Sequence, residues 1–543
     1  MKLIKIIPTH LLLIVLSSGV SIITLLYFYK TNSITLYGDG VAHLNIARRI
    51  VDIDSSSFWI RYLQLGSPWL PLQHILMLPF IWNDHMWRSG LAGSFVSAVS
   101  YVLSTLFVYE IAATVGQEIS KNSSQTEKDR RSGLFAAALF AFNPSILYLQ
   151  ATPMTELLFL ASVAASVLML LRWVIYQNRK YLILSAVTCT LASLTRYEAW
   201  TMLPAGAFLV LIAKEGEVRE RLKDALFWSF LASCGPLYWF WHNWVTYNNP
   251  LEFYNGFYSA KGIYARSKER LSWADFTRGR LVISTIWAAI AASSCSGIAV
   301  VVTTFCAFIG LVKETFNKLY LVNKVWKVYC VGSFLFLPPL FTVYSLYTGN
   351  IQIYPLVALG LLNVRYGINF ILAAAIVPIV LLNGRKTLQS LLFLLLLAQY
   401  GWLLSDGFEQ LAVYQEPLRN NRNHRESVIR AELENYLRSH RPAGKVLMQG
   451  AELTPIVMHG GLNFRDIIFV YEQDKRLENI ENELLKVVST VICRKDDIVC
   501  SRTINSLEFH EQFELVYKVG SNPTLLVWKR KLLSGKRSEK VCA

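Results

Sequence analysis

The sequence predicts a polytopic α-helical membrane protein of about eleven transmembrane helices, followed by a small α/β domain outside the membrane. Three observations predict it. Hydrophobic residues make up 53% of the 543, charged residues only 17%, and mean hydropathy is +0.36, too apolar for an ordinary soluble protein. Apolar segments long enough to cross a bilayer recur between short basic connectors. After Ser405 the pattern changes to alternating polar and apolar runs.

The first segment, Leu11 to Tyr29, follows Met1-Lys2-Leu3-Ile4-Lys5 and ends at Lys30. At about 1.5 Å per residue it can cross a hydrocarbon core of about 30 Å. It is too long for a signal-peptide core, and no small-x-small cleavage site follows, so it reads as a retained helix. Further spans are expected at Leu91–Val115, Gly133–Leu149, Leu157–Val174, Tyr181–Leu194, Trp200–Ala213, Ala225–Trp241, Val282–Val312, Val328–Tyr347, Ile368–Leu382 and Leu388–Leu404. The connectors Lys121–Arg131, Arg172–Lys180, Lys214–Lys223, Lys313–Lys327 and Gly384-Arg385-Lys386 all carry Lys or Arg. They place the N-terminus in the cytoplasm and everything after Ser405 outside it. Residues 1–404 are thus expected to form the membrane domain, with a first outer loop at 31–89, and 405–543 an exoplasmic domain.

The first outer loop opens with Tyr37-Gly38-Asp39-Gly40-Val41-Ala42-His43-Leu44. From Asp39 to Asp52 an apolar stripe (Val41, Leu44, Ala47, Val51) opposes a polar face (Asp39, His43, Arg48, Arg49, Asp52). This predicts an amphipathic helix on the membrane surface, its basic residues toward lipid headgroups. Asp39 suits either a helix N-cap or a carboxylate with chemistry to do. His43, one turn on, suits packing or a ligand contact. Leu65 to His74, rich in Pro and Trp, reads as a second surface element that rests on the membrane or holds a lipid-linked substrate.

Other ionisable residues collect at outer helix ends. Glu156 opens an apolar run, where the helix dipole favours an acid but apolar neighbours make an unpartnered one costly. Arg196, Tyr197 and Glu198 form one junction, and Arg365 lies at the head of a late span. Either arginine could instead snorkel toward water.

The Asp in the first outer loop, Asn143-Pro144-Ser145 with Met154-Thr155-Glu156, Leu194-Thr195-Arg196-Tyr197-Glu198 and Asn363-Val364-Arg365-Tyr366 together resemble the GT-C superfamily of integral-membrane glycosyltransferases. More closely, they are similar to its protein-mannosyltransferase and lipid A aminoarabinose-transferase branch and its bacterial relatives. The resemblance covers about residues 1–384. It implies transfer of one sugar from a polyprenyl-phosphate carrier to a lipid, glycan or protein acceptor at the outer face of the plasma membrane. Asp39 would be the base that deprotonates the acceptor. His43, Glu156, Arg196, Tyr197, Glu198 and Arg365 would contact substrate. Arg196 and Arg365, with Lys261, Arg266 and Lys268 of the loop Val245–Arg280, are the cations available for the leaving phosphate.

No cofactor is expected. Some relatives use a divalent ion held by an acidic pair in the first loop, and Gly38-Asp39-Gly40 has no second acid, so a metal lacks support. No phosphate-loop or dinucleotide fingerprint is present. The net charge of +16 is dispersed over the connectors with no basic stripe, which argues against a nucleic-acid partner. A multi-pass transporter would need ionisable residues near mid-membrane, where Glu110 is the main example. A non-catalytic scaffold presenting the tail domain would leave the charges at helix ends without a purpose.

In the tail, Glu426–Leu437 predicts a helix, and Lys445–Met448, Ile467–Val470 and Thr524–Trp528 predict strands. Cys493 and Cys500 flank a turn-like span and suit either a disulfide or two free thiols. Cys189, Cys234, Cys295, Cys306 and Cys330 fall in apolar spans as packing residues, and Cys542 has no assignment. His459-Gly460-Gly461 reads as a tight turn.

Overall fold

In a bilayer every backbone polar group needs an internal partner, so an apolar chain of this kind closes into helices. A computed structural model describes residues 8–53, 55–120, 126–267, 276–319, 325–423, 425–450, 452–471, 485–504 and 506–531. Met1–Lys5, Lys268 and Cys542 lie outside the described residues. The helices in chain order are α1 (Thr9–Lys30), α2 (Gly38–Asp52), α3 (Phe58–Tyr62), α4 (Leu72–Ile81), α5 (Asp84–Arg88), α6 (Leu91–Ser120), α7 (Thr126–Ala141), α8 (Pro144–Leu149) and α9 (Glu156–Tyr176). Then come α10 (Arg179–Ser193), α11 (Met202–Ala213), α12 (Val218–Tyr247), α13 (Glu252–Asn255), α14 (Ala260–Ser267), α15 (Leu281–Ser296), α16 (Ile298–Leu319), α17 (Val325–Ser333) and α18 (Leu337–Thr348). They are followed by α19 (Ile371–Leu381), α20 (Lys386–Leu403), α21 (Ala412–Asn423), α22 (Arg425–Ser439) and α23 (Thr454–His459).

By length and composition, six helical stretches among the described residues can cross a membrane: Thr9–Lys30, Leu91–Ile119, Glu156–Tyr176, Ile298–Asn317, Val325–Thr348 and Val364–Leu381. Two expected spans are interrupted. Val282–Val312 is two helices, α15 and α16, because Gly297 adopts φ +88 and approaches Gln399 so closely that a Cβ would lie 2.3 Å from its side chain. Gly133–Leu149 breaks at Asn143, whose side chain caps α8 by accepting from the Ile146 N–H.

Contacts divide the chain into two units. The first comprises residues 1–44, 65–80 and 89–418; the second comprises 45–64, 81–88 and 419–543. In the first unit α9 packs between α6 and α10, and α19 against α6, α7 and α16. α9 is buried along nearly its whole length. By contrast α16 exposes Ile298, Val302, Phe305 and Ile309 in one stripe, an apolar face that suits lipid. Cys234 and Cys306 are also exposed rather than packed inside.

The second unit holds a five-stranded sheet in the order β2-β1-β3-β5-β4, where β1 is Lys445–Gln449, β2 Ile467–Val470, β3 Val488–Arg494, β4 Phe513–Val519 and β5 Leu525–Arg530. β1 is parallel to β2 and β3, while β5 is antiparallel to β3 and β4. A disulfide joins Cys493 at the end of β3 to Cys500 in the short helix Ile498–Thr503. Asp52 accepts from the Phe464 N–H at 2.8 Å and from Arg465 at 2.8 and 3.0 Å. Arg48 bonds Asp84 at 2.6 Å and lies over the Trp87 ring. These contacts join 45–64 and 81–88 to the tail within this unit. They also correct the expected membrane-surface helix: Arg48 and Asp52 are buried, not turned to headgroups.

Candidate active site

Asp39 is the second residue of α2, inside the first turn rather than at the cap. Among the described residues no backbone N–H donates to its side chain. The flanking glycines differ in purpose. A Cβ on Gly40 would sit 2.9 Å from the Pro153 ring, so glycine lets the turn press against the segment leading into Glu156, whereas Gly38 has open space around it. Glu156 begins α9. Arg196 sits in extended backbone between α10 and a 3-10 turn over Tyr197–Thr201. Arg365 is the second residue of a 3-10 turn over Val364–Phe370, entered through Asn363 in the left-handed region at φ +54.

These residues come together in one chain of ion pairs. Arg365 donates from Nη2 to Asp39, from Nε to Glu156 Oε1 at 3.2 Å, and from Nη1 to Glu416 Oε1 at 3.5 Å. Arg196 donates from Nη1 to Glu156 Oε1 at 2.9 Å, and from Nε and Nη2 to Glu198 Oε1 at 3.0 and 2.7 Å. One carboxylate oxygen of Glu156 is therefore shared by two guanidinium groups. The Tyr366 ring lies beside both, 4.8 Å from the Arg196 Cζ and 5.6 Å from that of Arg365. Asn369 donates to Glu198 Oε1 at 3.3 Å.

Burial separates the members of this network. The Glu156, Glu198, Glu416 and Arg365 side chains are 1, 6, 3 and 7% exposed, while Asp39 is 43% exposed. Asp39 is thus the open end of an otherwise enclosed network. Its second oxygen, Oδ1, carries no hydrogen bond among the described residues, since Arg365 meets Oδ2. Among the described residues, Glu156 Oε2 and Asn369 Oδ1 are buried acceptors without a donor. Neither arginine snorkels: all three side-chain nitrogens of each are engaged by carboxylates. A phosphate at either guanidinium would therefore share it with carboxylates already bound there.

His43 and Tyr197, also expected to contact substrate, hydrogen-bond to protein groups outside this ion-pair network. His43 is buried, its Nδ1 2.9 Å from Nε2 of His74 and its ring 5.2 Å from that of Trp69. Burial, and then the Arg365 and Arg196 charges, push its pKa down to about 3, so it is neutral near pH 7. The Tyr197 hydroxyl donates to the Pro68 carbonyl at 3.0 Å and accepts from Trp239 at 3.0 Å, while the ring stacks on Phe253. With His242, which bonds the Gly66 carbonyl at 2.9 Å, it secures the Leu65–His74 run. Of the loop cations, Lys261 is exposed beside the Tyr254 ring. The Arg266 side chain lies outside the described residues.

Sequence reasoning missed Glu416. Both its oxygens accept backbone N–H groups, from Asn363 at 2.8 Å and Val364 at 2.9 Å. Burial pushes its carboxyl above the ordinary range, against the pull of Arg365 and the two amides. It lies in a polar run with no motif, and no local signal marks it. Tyr37, beside Arg365, was quoted in the opening motif but given no part. Its hydroxyl donates to the Val413 carbonyl at 2.6 Å, and burial raises its pKa well above the usual value. Among the described residues the one trio of potential metal ligands with donor atoms within 4.8 Å of one another is Cys493, Asp497 and Cys500, whose two sulfurs are bonded to each other.

Residues 86–241 match the family described as dolichyl-phosphate-mannose-protein mannosyltransferase. That stretch contains Glu156, Arg196 and Glu198 but neither Asp39 nor Arg365. Among solved structures, ArnT from Cupriavidus metallidurans bound to undecaprenyl phosphate is similar with a TM-score of 0.50 at 11% identity, over 96% of this chain and 99% of that one. The apo form of that protein gives 0.49 at 12% identity, over 95% and 97%. The oligosaccharyltransferase of Archaeoglobus fulgidus gives 0.48 at 11%, over 89% of this chain and 68% of that one. No curated protein sequence matches significantly. Residues 86–241 thus match one mannosyltransferase family model, and the fold over nearly the whole chain is similar to that of ArnT, in keeping with the GT-C resemblance of the motifs.

Proposed function

We propose that this protein transfers one sugar from a polyprenyl-phosphate carrier to an acceptor hydroxyl at the exoplasmic face of the plasma membrane, with Asp39 as the base. The observation that carries this is the convergence of Asp39, Glu156, Arg196 and Arg365, from four separate parts of the chain, on one ion-pair network in which Asp39 alone is open. Undecaprenyl phosphate bound to the similar ArnT supports the class of carrier.

Asp39 takes the acceptor proton as that oxygen bonds to the anomeric carbon. The bond from that carbon to the phosphate oxygen breaks, and the electron pair leaves on the polyprenyl phosphate. Arg365 fixes the direction of the Asp39 carboxylate, and Glu156 fixes Arg365. Glu156 Oε2 and Asn369 Oδ1 are acceptors suited to sugar hydroxyls. Charge on the departing phosphate is met by Arg196 as it loosens from Glu198, or by exposed cations such as Lys261. The transporter alternative rests on Glu110, which is already paired with Arg172 and His10.

The test is to incubate purified protein in lipid nanodiscs with undecaprenyl-phosphate-linked hexoses and pentoses plus native membranes as acceptor, measuring released undecaprenyl phosphate. Wild type consumes at least one donor, and Asp39→Asn inserts normally but is slower by about 10²- to 10⁴-fold. An Asp39→Asn protein of full activity removes Asp39 from this role.

A further inference from the structure

α21 follows the last long apolar helix, in a stretch without any chemical motif. Yet its first two turns bond the segment leading to Asp39 on one side and the Arg365 turn on the other. The Val413 carbonyl accepts from the Tyr37 hydroxyl at 2.6 Å, and the Tyr414 hydroxyl meets Ser33 Oγ at 2.7 Å, both in the segment leading to Asp39. On the other side Glu416 receives the Asn363 and Val364 N–H groups at 2.8 and 2.9 Å and lies 3.5 Å from Arg365 Nη1. Asn363 holds a left-handed backbone, φ +54, that a non-glycine residue keeps only when its surroundings fix it. The carboxylate at the head of the turn supplies that constraint.

We infer that Glu416 is a positioning residue of this enzyme: it fixes the Asn363–Arg365 turn, and through Arg365 the direction of the Asp39 carboxylate. This rests on the function proposed above, in which Asp39 touches the acceptor. Glu416 is 3% exposed and both its oxygens are engaged, so it acts through Arg365 and not on substrate. A carboxylate accepts from two amides and a guanidinium at once. In a carboxamide one of the two terminal atoms becomes a donor, which cannot face an N–H without repulsion. Glu416→Gln therefore releases one side of the turn while keeping its volume. Glu416→Asp keeps charge and acceptors at shorter reach.

The experiment has two arms on the full-length protein in nanodiscs, with Glu409→Gln, an exposed acid nearby, as control. In the first, hydrogen exchange is followed in peptides covering 360–370. Glu416→Gln speeds exchange at Asn363 and Val364 by about 10-fold or more, Glu416→Asp by less, and the control not at all. In the second, donor kinetics with the best undecaprenyl-phosphate sugar give a kcat lowered about 10- to 100-fold in Glu416→Gln, KM within about twofold of wild type, and partial recovery in Glu416→Asp. Unchanged exchange in both variants overturns the inference. So does faster exchange with unchanged kcat, which marks a purely structural acid, and so does a rise in KM at constant kcat, which marks a substrate contact. If wild type turns over no donor, the proposed function has failed, and the exchange arm alone decides whether Glu416 holds the turn. If Glu416→Gln does not fold, the Glu416→Asp variant carries both arms.

Discussion

The two ends of α9 carry paired charge to different effect. At its first residue, Glu156 belongs to a network of four carboxylates (Asp39, Glu156, Glu198, Glu416) and two arginines (Arg196, Arg365). Near its last turn Arg172 meets Glu110 of α6 at 2.6 Å, and Glu110 also meets His10 of α1. The second group pairs one carboxylate with one arginine, and its other oxygen meets the His10 ring, as expected of groups that only join helices. The first has acids in excess, two buried acceptors without donors, and one half-exposed carboxylate. On the function proposed above, the open member of the first network, Asp39, is the group placed to meet the acceptor.

The largest effect that sharpens this contrast is expected from Arg365→Gln. Among the described residues it leaves Asp39 and Glu416 without their arginine and Glu156 with Arg196 alone, and breaking such a buried pair costs about 3–5 kcal/mol. Thermal unfolding in nanodiscs should show that loss, and transfer should be undetectable. Asp39→Asn comes next and divides stability from activity. Transfer falls by about 10²- to 10⁴-fold, while stability changes by less than about 1 kcal/mol because the side chain is half-exposed. An equal loss of both would make the two ends of α9 alike and undo the comparison.

Smaller effects belong to the other end. Arg172→Gln should destabilise by about 1–2 kcal/mol, discounted for partial exposure, and leave kcat within about threefold. A large drop in kcat with stability intact would give that end a share in the chemistry. His10→Gln should change stability by less than about 0.5 kcal/mol, since an exposed partner adds little. Thermal melts of the two variants side by side check the order.

In the second unit Glu434 offers a pH test of burial, alongside Asp497, whose carboxyl burial raises to about 6. Glu434 is buried near Arg430, and burial raises its pKa to about 7 against those arginine charges. A raised carboxyl holds its proton more tightly folded than unfolded. The stability it contributes is therefore present below its ordinary carboxylate pKa and lost as pH rises toward 7. Glu434→Gln should flatten that decline; a wild-type profile that is flat from pH 4.5 to 7.5 refutes it.

Much of the site was legible because charge is scarce in an apolar chain. Glu156, Arg196 and Arg365 stand out beside long hydrophobic runs, and Asp39 beside the first, since an ion there is costly without a partner. His43 and Tyr197 were legible as candidates but not in their protein partners. Their ring and hydroxyl go to His74 and to Pro68, and the sequence carries no term that chooses such partners over a sugar. Glu416 was invisible, because an acid in a polar run costs nothing until the fold buries it.

By itself the sequence determined the helical membrane architecture, the small α/β tail and the ends at which ions gather. These follow from the free energy of moving each residue out of water and from local backbone preference, which accumulate along the chain. The tertiary structure alone decided that Arg365 grips Asp39 across 326 residues, that Val282–Val312 breaks at Gly297, and that Asp52 serves the tail. Those outcomes depend on which distant groups share a small volume once packing is complete. Such pair energies have no counterpart in a single residue or in its spacing from the next.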